Sequence, residues 1–139
     1  MPSILLSTIN ARYAHAALGL RYLAANMGAL RGDTAIMEFV LGARAVEMAE
    51  QLLAQNPRII GLGVYIWNIE ESTRLIALLK TVAPDVVVVL GGPEVSYETE
   101  SQRICELADY VVTGWGDVSF PALCEQLLSG ERPADKVIT

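Results

Sequence analysis

The segment Val86-Val-Val-Val-Leu-Gly-Gly-Pro93 decides the fold of this chain. Its first five residues are apolar and almost all β-branched, which predicts a strand that is covered on both faces. Such a strand belongs to the centre of a parallel sheet, and the Gly-Gly-Pro sequence that follows it marks a turn. The segment therefore indicates an α/β domain.

Short β-branched segments alternate with segments of helical period on both sides of this strand. The predicted strands are residues 3–8, 34–40, 58–66, 86–90 and 110–113. The predicted helices are residues 17–30, 44–55, a helix between an Asn68 cap and Pro84, 98–108, and a helix from Asp117 or Ser119 to 128. Right-handed crossovers then favour a three-layer sandwich with a five-stranded parallel sheet in the flavodoxin-like order 2-1-3-4-5. Residues 136–139 have the composition of the beginning of a further strand.

Length and composition limit the function classes. The 139 residues fit a single domain spanning positions 1–139, and 53% hydrophobic with 19% charged residues excludes a disordered chain. Ten Lys and Arg residues against 16 Asp and Glu residues give a net charge of −6, which disfavours binding to nucleic acid. The sequence carries no signal for an oligomeric state.

The sequence also indicates the cellular compartment of this chain. The apolar runs are much shorter than the roughly 20 residues that cross a bilayer, and residues 1–8 contain no Lys or Arg of a secretory leader. Cys105 and Cys124 each lie among apolar residues in a helical pattern, which is typical of reduced packing thiols. We expect a cytoplasmic domain without membrane contact.

Ligands of this fold bind at the carboxyl ends of the strands, which here are followed by residues 10–16, 65–68, 91–97 and 114–117. The first and third strand ends lack the acidic residues of a phosphoacceptor receiver, and residues 1–18 contain no glycine for a dinucleotide loop. Ser7 and Thr8 are a weak signal for a flavin phosphate site. Two glycine pairs, Gly91-Gly92 and Gly114-Trp115-Gly116, indicate either tight turns or a close approach of a flat ligand to the backbone.

Four segments taken together resemble the cobalamin (B12)-binding domain of radical S-adenosylmethionine enzymes. They are His15-Ala-Ala-Leu-Gly-Leu-Arg-Tyr-Leu-Ala-Ala25, Gly61-Leu-Gly-Val-Tyr-Ile-Trp-Asn68, Val87-Val-Val-Leu-Gly-Gly-Pro-Glu94 and Ala108-Asp-Tyr-Val-Val-Thr-Gly-Trp-Gly-Asp117. The resemblance covers nearly the whole chain, although the family more often has Gly-Glu-Gly-Glu where this chain has Gly114-Trp-Gly-Asp117.

The resemblance implies that cobalamin binds with its corrin ring over the strand ends and its nucleotide tail between the first strand, the third strand and the glycine turns. The implied cofactor-binding residues are Asn10, Arg12, Tyr13, His15, Tyr65, Trp67, Asn68, Gly91, Gly92, Pro93, Glu94, Gly114, Trp115 and Gly116.

Several of these residues have roles that the resemblance leaves open. Tyr65 and Trp67 are expected either to stack on the tail or lower corrin face, or simply to cover the sheet edge. Arg12 is either a phosphate contact or a solvated loop charge, and an exposed Trp115 favours a contact surface.

Family members that place a histidine beneath cobalt carry D-x-H-x-x-G, whereas His15 has Tyr13 two residues before it and Leu18 three residues after it. The aspartate that would orient the imidazole is absent, so we expect no protein metal ligand and a base-off cobalamin.

The family's cluster motif C-x-x-x-C-x-x-C is absent from these residues. The chain is therefore interpreted as an amino-terminal module that is not catalytic alone, with the [4Fe-4S] cluster and S-adenosylmethionine held by a downstream radical barrel domain of a methyltransferase or Fe-S oxidoreductase. Two alternatives stay open: a flavodoxin-like enzyme domain that binds FMN or a nucleotide, and a cofactor-free interaction domain of the same fold.

Overall fold

The computed structural model describes residues 2–11, 18–65, 68–92, 103–113 and 118–138. The strands are β1 (Ile4–Asn10), β2 (Thr34–Val40), β3 (Ile59–Gly63), β4 (Val87–Gly91), β5 (Tyr110–Val112) and β6 (Val137–Ile138). The helices are α1 (Leu18–Ala25), α2 (Ala45–Ala54), α3 (Ile69–Val82), α4 (Arg103–Leu107) and α5 (Ser119–Leu128), and a 3-10 helix spans Gly28–Asp33.

All six strands form one parallel sheet in the order β2-β1-β3-β4-β5-β6. The predicted α/β class and the order 2-1-3-4-5 are confirmed. The prediction of five strands was one strand short, because Val137 and Ile138 pair with β5 at the edge. β4 lies between β3 and β5, as its continuous apolar sequence requires.

Two element bounds differ from the sequence prediction for visible reasons. The first predicted helix, 17–30, ends at Ala25 and is followed by the separate 3-10 helix, whose first residue, Gly28, has a φ of +60°. The third strand ends at Gly63 instead of residue 66; Val64 still donates to the Gly91 carbonyl at 2.8 Å, and the Tyr65 carbonyl already accepts from Asn68 at 3.0 Å. Among the described residues, no helix has both the length and the apolar character needed to cross a bilayer.

The sheet separates two apolar layers. One face of the sheet packs against α2, α3 and α4 through Met48, Leu52, Leu75, Leu79 and Ile104. The other face packs against α1 and α5 through Leu20, Phe120, Leu123, Cys124 and Leu127. Since successive strand residues point to opposite faces, each strand position is assigned to one layer by its parity.

The two cysteines are free thiols buried in different layers. Burial raises the pKa of the Cys105 thiol, and it raises the pKa of the Cys124 thiol to about 12. Because the sheet lies between them, they serve as packing residues and are not placed to form a disulfide, as the sequence predicted.

The amino ends of the strands are joined by polar contacts. The Lys80 ammonium donates to the carbonyls of Pro84 and Val86 at 3.0 and 2.9 Å and to the Asp109 carboxylate at 2.8 Å. The same carboxylate oxygen of Asp109 accepts a hydrogen bond of 2.8 Å from the backbone of Val88. These contacts connect the end of α3 to the beginnings of β4 and β5.

Candidate functional site

Three small residues form a row across the carboxyl ends of the central strands. Thr8 of β1 is in register with Gly63 of β3, and Gly63 is in register with Gly91 of β4. By parity with Ile4 and Val87, these positions face the layer that contains α1 and α5. We call Thr8, Gly63 and Gly91 the small-residue row.

The Asn68 side chain connects this row to the loop that follows β3. Its Nδ2 donates to the Ile9 carbonyl at 2.9 Å and to the Thr8 hydroxyl at 3.3 Å. Its Oδ1 accepts hydrogen bonds from the Tyr65 backbone at 2.9 Å and from the Ser72 hydroxyl at 3.2 Å. The Asn68 side chain is fully buried, and its whole hydrogen-bonding capacity is used within the protein.

This arrangement replaces the predicted helix cap. Asn68 occupies the N-cap position of α3, but its side chain makes no capping hydrogen bond to that helix. Oδ1 instead accepts from Tyr65, three residues before it, while the Asn68 backbone donates to the Tyr65 carbonyl at 3.0 Å. The predicted Asn68 cap is therefore wrong, since the side-chain amide binds backward to Tyr65 and to β1.

Thr8 completes the connection between β1 and β3. Its hydroxyl donates to the Gly63 carbonyl at 2.7 Å while it accepts from Asn68, and its side chain is fully buried. The carbonyl at the carboxyl end of β3 is thereby satisfied by β1 at a place where regular sheet pairing stops.

The two glycines that end β4 differ in their surroundings. Gly92 has a φ of +112°, and a Cβ atom placed on it would lie 2.5 Å from the carbonyl oxygen of Val64. Among the described residues, a Cβ atom on Gly91 would have one neighbour within 4 Å, the Val112 carbonyl oxygen at 3.9 Å. Backbone packing on Val64 by itself explains Gly92, whereas none of the described residues requires a glycine at position 91.

The two glycines of β3 show the same contrast. A Cβ atom on Gly61 would lie 2.9 Å from the ring of Phe120 and 3.1 Å from Leu6, which confirms close packing there. A Cβ atom on Gly63 would lie at ordinary contact distances, 3.5 Å from the Tyr65 ring and 3.5 Å from the Thr8 hydroxyl. Packing thus explains Gly61 but does not require a glycine at position 63.

Tyr65 lies half-buried beside the small-residue row. Its ring edge faces Gly63, and its hydroxyl lies 3.6 Å from the point that a Cβ atom of Gly19 in α1 would occupy. Burial raises the pKa of the Tyr65 phenol above its ordinary value.

Asn10, at the end of β1, is held by a charged pair. Its Nδ2 donates to Glu38 at 3.2 Å, and the other carboxylate oxygen of Glu38 accepts from Arg21 of α1 at 2.9 Å. The Glu38 side chain is 20% exposed and that of Arg21 is 47% exposed, so this is a partly screened pair. It fixes the orientation of the Asn10 amide relative to α1.

The structure thus brings together five of the predicted cofactor residues at one edge: Asn10, Tyr65, Asn68, Gly91 and Gly92. The other predicted residues lie outside the described part of the chain and stay predictions: Arg12, Tyr13, His15, Trp67, Pro93, Glu94, Gly114, Trp115 and Gly116.

Sequence reasoning missed Gly63, Glu38 and Ser72 as contributors to this edge, and it singled out Thr8 only as a weak signal for a flavin phosphate site. Thr8 and Gly63 carried a signal, since small or hydroxyl residues at the ends of two central strands are exceptions within apolar runs. Glu38 and Ser72 carried none, because their partners are distant in sequence or depend on the backward direction of the Asn68 amide.

Three known proteins are similar to this chain. An uncharacterized methyltransferase of Pyrococcus horikoshii is 27% identical over 116 residues, which cover 83% of this chain and 25% of that protein. The structure of a cobalamin-binding protein from Desulfitobacterium hafniense matches 90% of this chain and 58% of its own chain, with a TM-score of 0.65 and 20% identity. The cobalamin-dependent S-adenosylmethionine radical enzyme OxsB matches 96% of this chain with a TM-score of 0.73 and 16% identity.

The two structural matches show a shared fold. This chain spans 25% of the length of the methyltransferase and 20% of the OxsB chain. The model of the B12-binding domain family matches residues 4–124, which include every strand from β1 to β5 and the whole small-residue row. The chain therefore belongs to the B12-binding domain family.

Proposed function

We propose that this domain binds cobalamin base-off at the carboxyl edge of its sheet, without a histidine beneath cobalt, as the amino-terminal module of a radical S-adenosylmethionine enzyme. The observation that carries the proposal is the small-residue row on the face toward α1 and α5. At the edge where ligands of this fold bind, three adjacent strands carry Thr8, Gly63 and Gly91, and the Tyr65 ring lies against Gly63.

The residues of this edge fit a large, flat, amide-rimmed ligand. None of the described residues crowds Gly91, and the oriented Asn10 amide supplies a polar group for a corrin rim amide. Asn68 has no remaining hydrogen-bond capacity, so in this proposal it positions the loop beginning at Tyr65 rather than contacting the cofactor.

When bound, cobalamin supplies a cobalt centre that carries a methyl group or exchanges electrons. The protein's part is to hold the corrin in a fixed position and to exclude water from one of its faces. His15 lacks the aspartate that orients a metal-bound imidazole, which supports a cofactor without a protein lower ligand.

The partnership with a radical domain rests on the relatives. The named methyltransferase and OxsB are both much longer than the region they share with this chain, and OxsB is a cobalamin-dependent radical enzyme. Sequencing the natural reading frame beyond Thr139 tests this part of the proposal. A C-x-x-x-C-x-x-C segment supports it, and an unrelated continuation contradicts it.

Titration of the purified domain with hydroxocobalamin tests the binding itself. We expect a shift of the corrin absorption spectrum that saturates at one cofactor per chain, with micromolar affinity. FMN in a parallel titration separates the flavodoxin-like alternative, and binding of neither ligand would leave the cofactor-free interaction domain.

Substitutions at Gly91 test the location of the slot. We expect Gly91→Ala to bind hydroxocobalamin almost normally, and Gly91→Val to bind it at least about tenfold more weakly, because overpacking a fitted contact costs about 1–3 kcal/mol. Gly32→Val is the matched control, since Gly32 is exposed before the amino end of β2 and a Cβ atom there meets nothing within 4 Å. Equal affinities for a folded Gly91→Val variant and the control would place the slot elsewhere.

The axial ligand is tested by electron paramagnetic resonance of the cob(II)alamin complex. We expect no nitrogen splitting from an axial ligand and the same spectrum for His15→Ala. Splitting that changes when the protein histidine is labelled with ¹⁵N would instead assign His15 to cobalt.

A further inference from the structure

The Tyr65 ring fills a gap between α1 and β3. Its Cε2 lies 3.5 Å from the point that a Gly63 Cβ atom would occupy, and its hydroxyl lies 3.6 Å from the corresponding point of Gly19. The ring therefore reaches from the sheet to the helix, with a glycine at each end. We call this space the α1–β3 gap.

Neither glycine is required by the backbone or by tight packing. Gly19 and Gly63 have no positive φ, and a Cβ atom on either would make only ordinary contacts with the described residues. Gly61, two residues earlier on the same strand and face, is different, because Phe120 leaves no room for a Cβ atom there. The described residues therefore do not force a glycine on either side of the α1–β3 gap, and the Tyr65 ring occupies it.

We propose that Tyr65 is a gate in the α1–β3 gap, whose ring takes the place of the flat base of the nucleotide tail in the ligand-free domain and must leave before the tail enters. This inference rests on the proposed function and adds a specificity determinant to it. The gap adjoins the small-residue row through Gly63, and a ring that is planar and aromatic is a close substitute for a planar heterocycle.

The gate makes a prediction that distinguishes two corrinoids. Cobalamin carries the nucleotide tail, whereas cobinamide has the corrin ring without it. Displacement of a half-buried ring opposes the binding of cobalamin only. We expect Tyr65→Ala to raise the ratio of cobalamin affinity to cobinamide affinity at least about fivefold, because the cost of exposing the ring is removed.

Two control variants test whether loss of the Tyr65 ring itself changes the affinity ratio. Tyr65→Phe keeps the ring, so we expect it to retain the wild-type ratio. Tyr22→Ala removes a tyrosine from α1 that is 58% exposed, and we expect the wild-type ratio there as well. An unchanged ratio in Tyr65→Ala would show that the ring contacts the corrin or nothing, and a lowered ratio would show that it stacks on the tail; both overturn the gate. Failure of the wild-type domain to bind either corrinoid would overturn the proposed function itself, and the gate with it.

A second measurement tests the gate without removing the Tyr65 side chain. With 3-fluorotyrosine in place of Tyr65, we expect the ¹⁹F resonance to move when cobalamin is added and to stay in place when cobinamide is added. A resonance that moves equally with both corrinoids, or with neither although both bind, contradicts the gate.

Discussion

Replacing Gly92 with alanine lowers the free energy of unfolding by about 3 kcal/mol or more, measured by urea denaturation. Two costs combine in this expectation. A φ of +112° is unfavourable for any residue with a Cβ atom, by about 1–2 kcal/mol. The new methyl group would also meet the carbonyl oxygen of Val64 at 2.5 Å and its nitrogen at 3.0 Å, and backbone atoms at the ends of paired strands are held by the ladder.

Gly130→Ala is the matched control for this prediction. Gly130 has a φ of +93°, but a Cβ atom there meets nothing within 4 Å. It should therefore show the conformational cost alone, about 1–2 kcal/mol. Equal losses for the two variants would mean that the turn after β4 does not pack on Val64.

Replacing Asn68 with alanine lowers the free energy of unfolding by about 3 kcal/mol. The change removes the buried hydrogen bonds that Asn68 makes with the Tyr65 amide, the Ile9 carbonyl and the Ser72 hydroxyl, and each lost hydrogen bond costs about 1 kcal/mol. We also expect weaker cobalamin binding in this variant, because the loop after β3 loses its attachment to β1.

Two controls separate the network from the substitution. Asn26→Ala removes an amide that donates to the Tyr22 carbonyl on the surface, and it should cost less than about 1 kcal/mol. Ser72→Ala removes a single hydrogen bond of 3.2 Å and should cost about 1 kcal/mol. A loss for Asn68→Ala no larger than that for Asn26→Ala would refute the network.

Asn68→Asp adds a dependence on pH. The introduced carboxyl is buried and one of its oxygens faces the Ile9 carbonyl, and we expect these two effects to outweigh the hydrogen bonds from Tyr65 and Ser72 and to raise its folded-state pKa above the ordinary value of about 3.9. A raised pKa favours the folded state below the unfolded pKa and penalises it as pH rises through the folded value. We therefore expect this variant to lose stability between pH 4 and pH 7 relative to the parent protein, and a flat difference across that range would contradict the burial.

The fold was predictable because its signals are local and periodic. The continuous apolar run of β4 and the alternation of strands with helices were sufficient for the sheet and its order. The sixth strand was only partly predictable, since two residues are too few for a period and are assigned as a strand by their pairing with β5. α1 ends at Ala25, three residues before Gly28, and the positive φ of Gly28 is not visible in the apolar periodicity.

The candidate site was predictable in its location but less so in its chemistry. Strand ends and glycine pairs can be read from the sequence, so Asn68, Gly91 and Gly92 were all singled out. Their roles depend on partners far away in the chain, such as Ile9, which is 59 residues from Asn68. A local motif names the residue that favours a cap or a turn, but it does not contain the distant group that competes for the same hydrogen bond.

The Lys80–Asp109 connection described above lies at the end of the sheet opposite to the candidate site. The Lys80 ammonium and the Asp109 carboxylate connect α3 to the beginnings of β4 and β5, and no residue of the candidate site takes part. The contacts that stabilise the fold and the edge that is proposed to bind the ligand thus lie at opposite ends of the sheet. The loops after β1, β3 and β4 can therefore be redesigned for a different planar ligand without changing the Lys80–Asp109 connection.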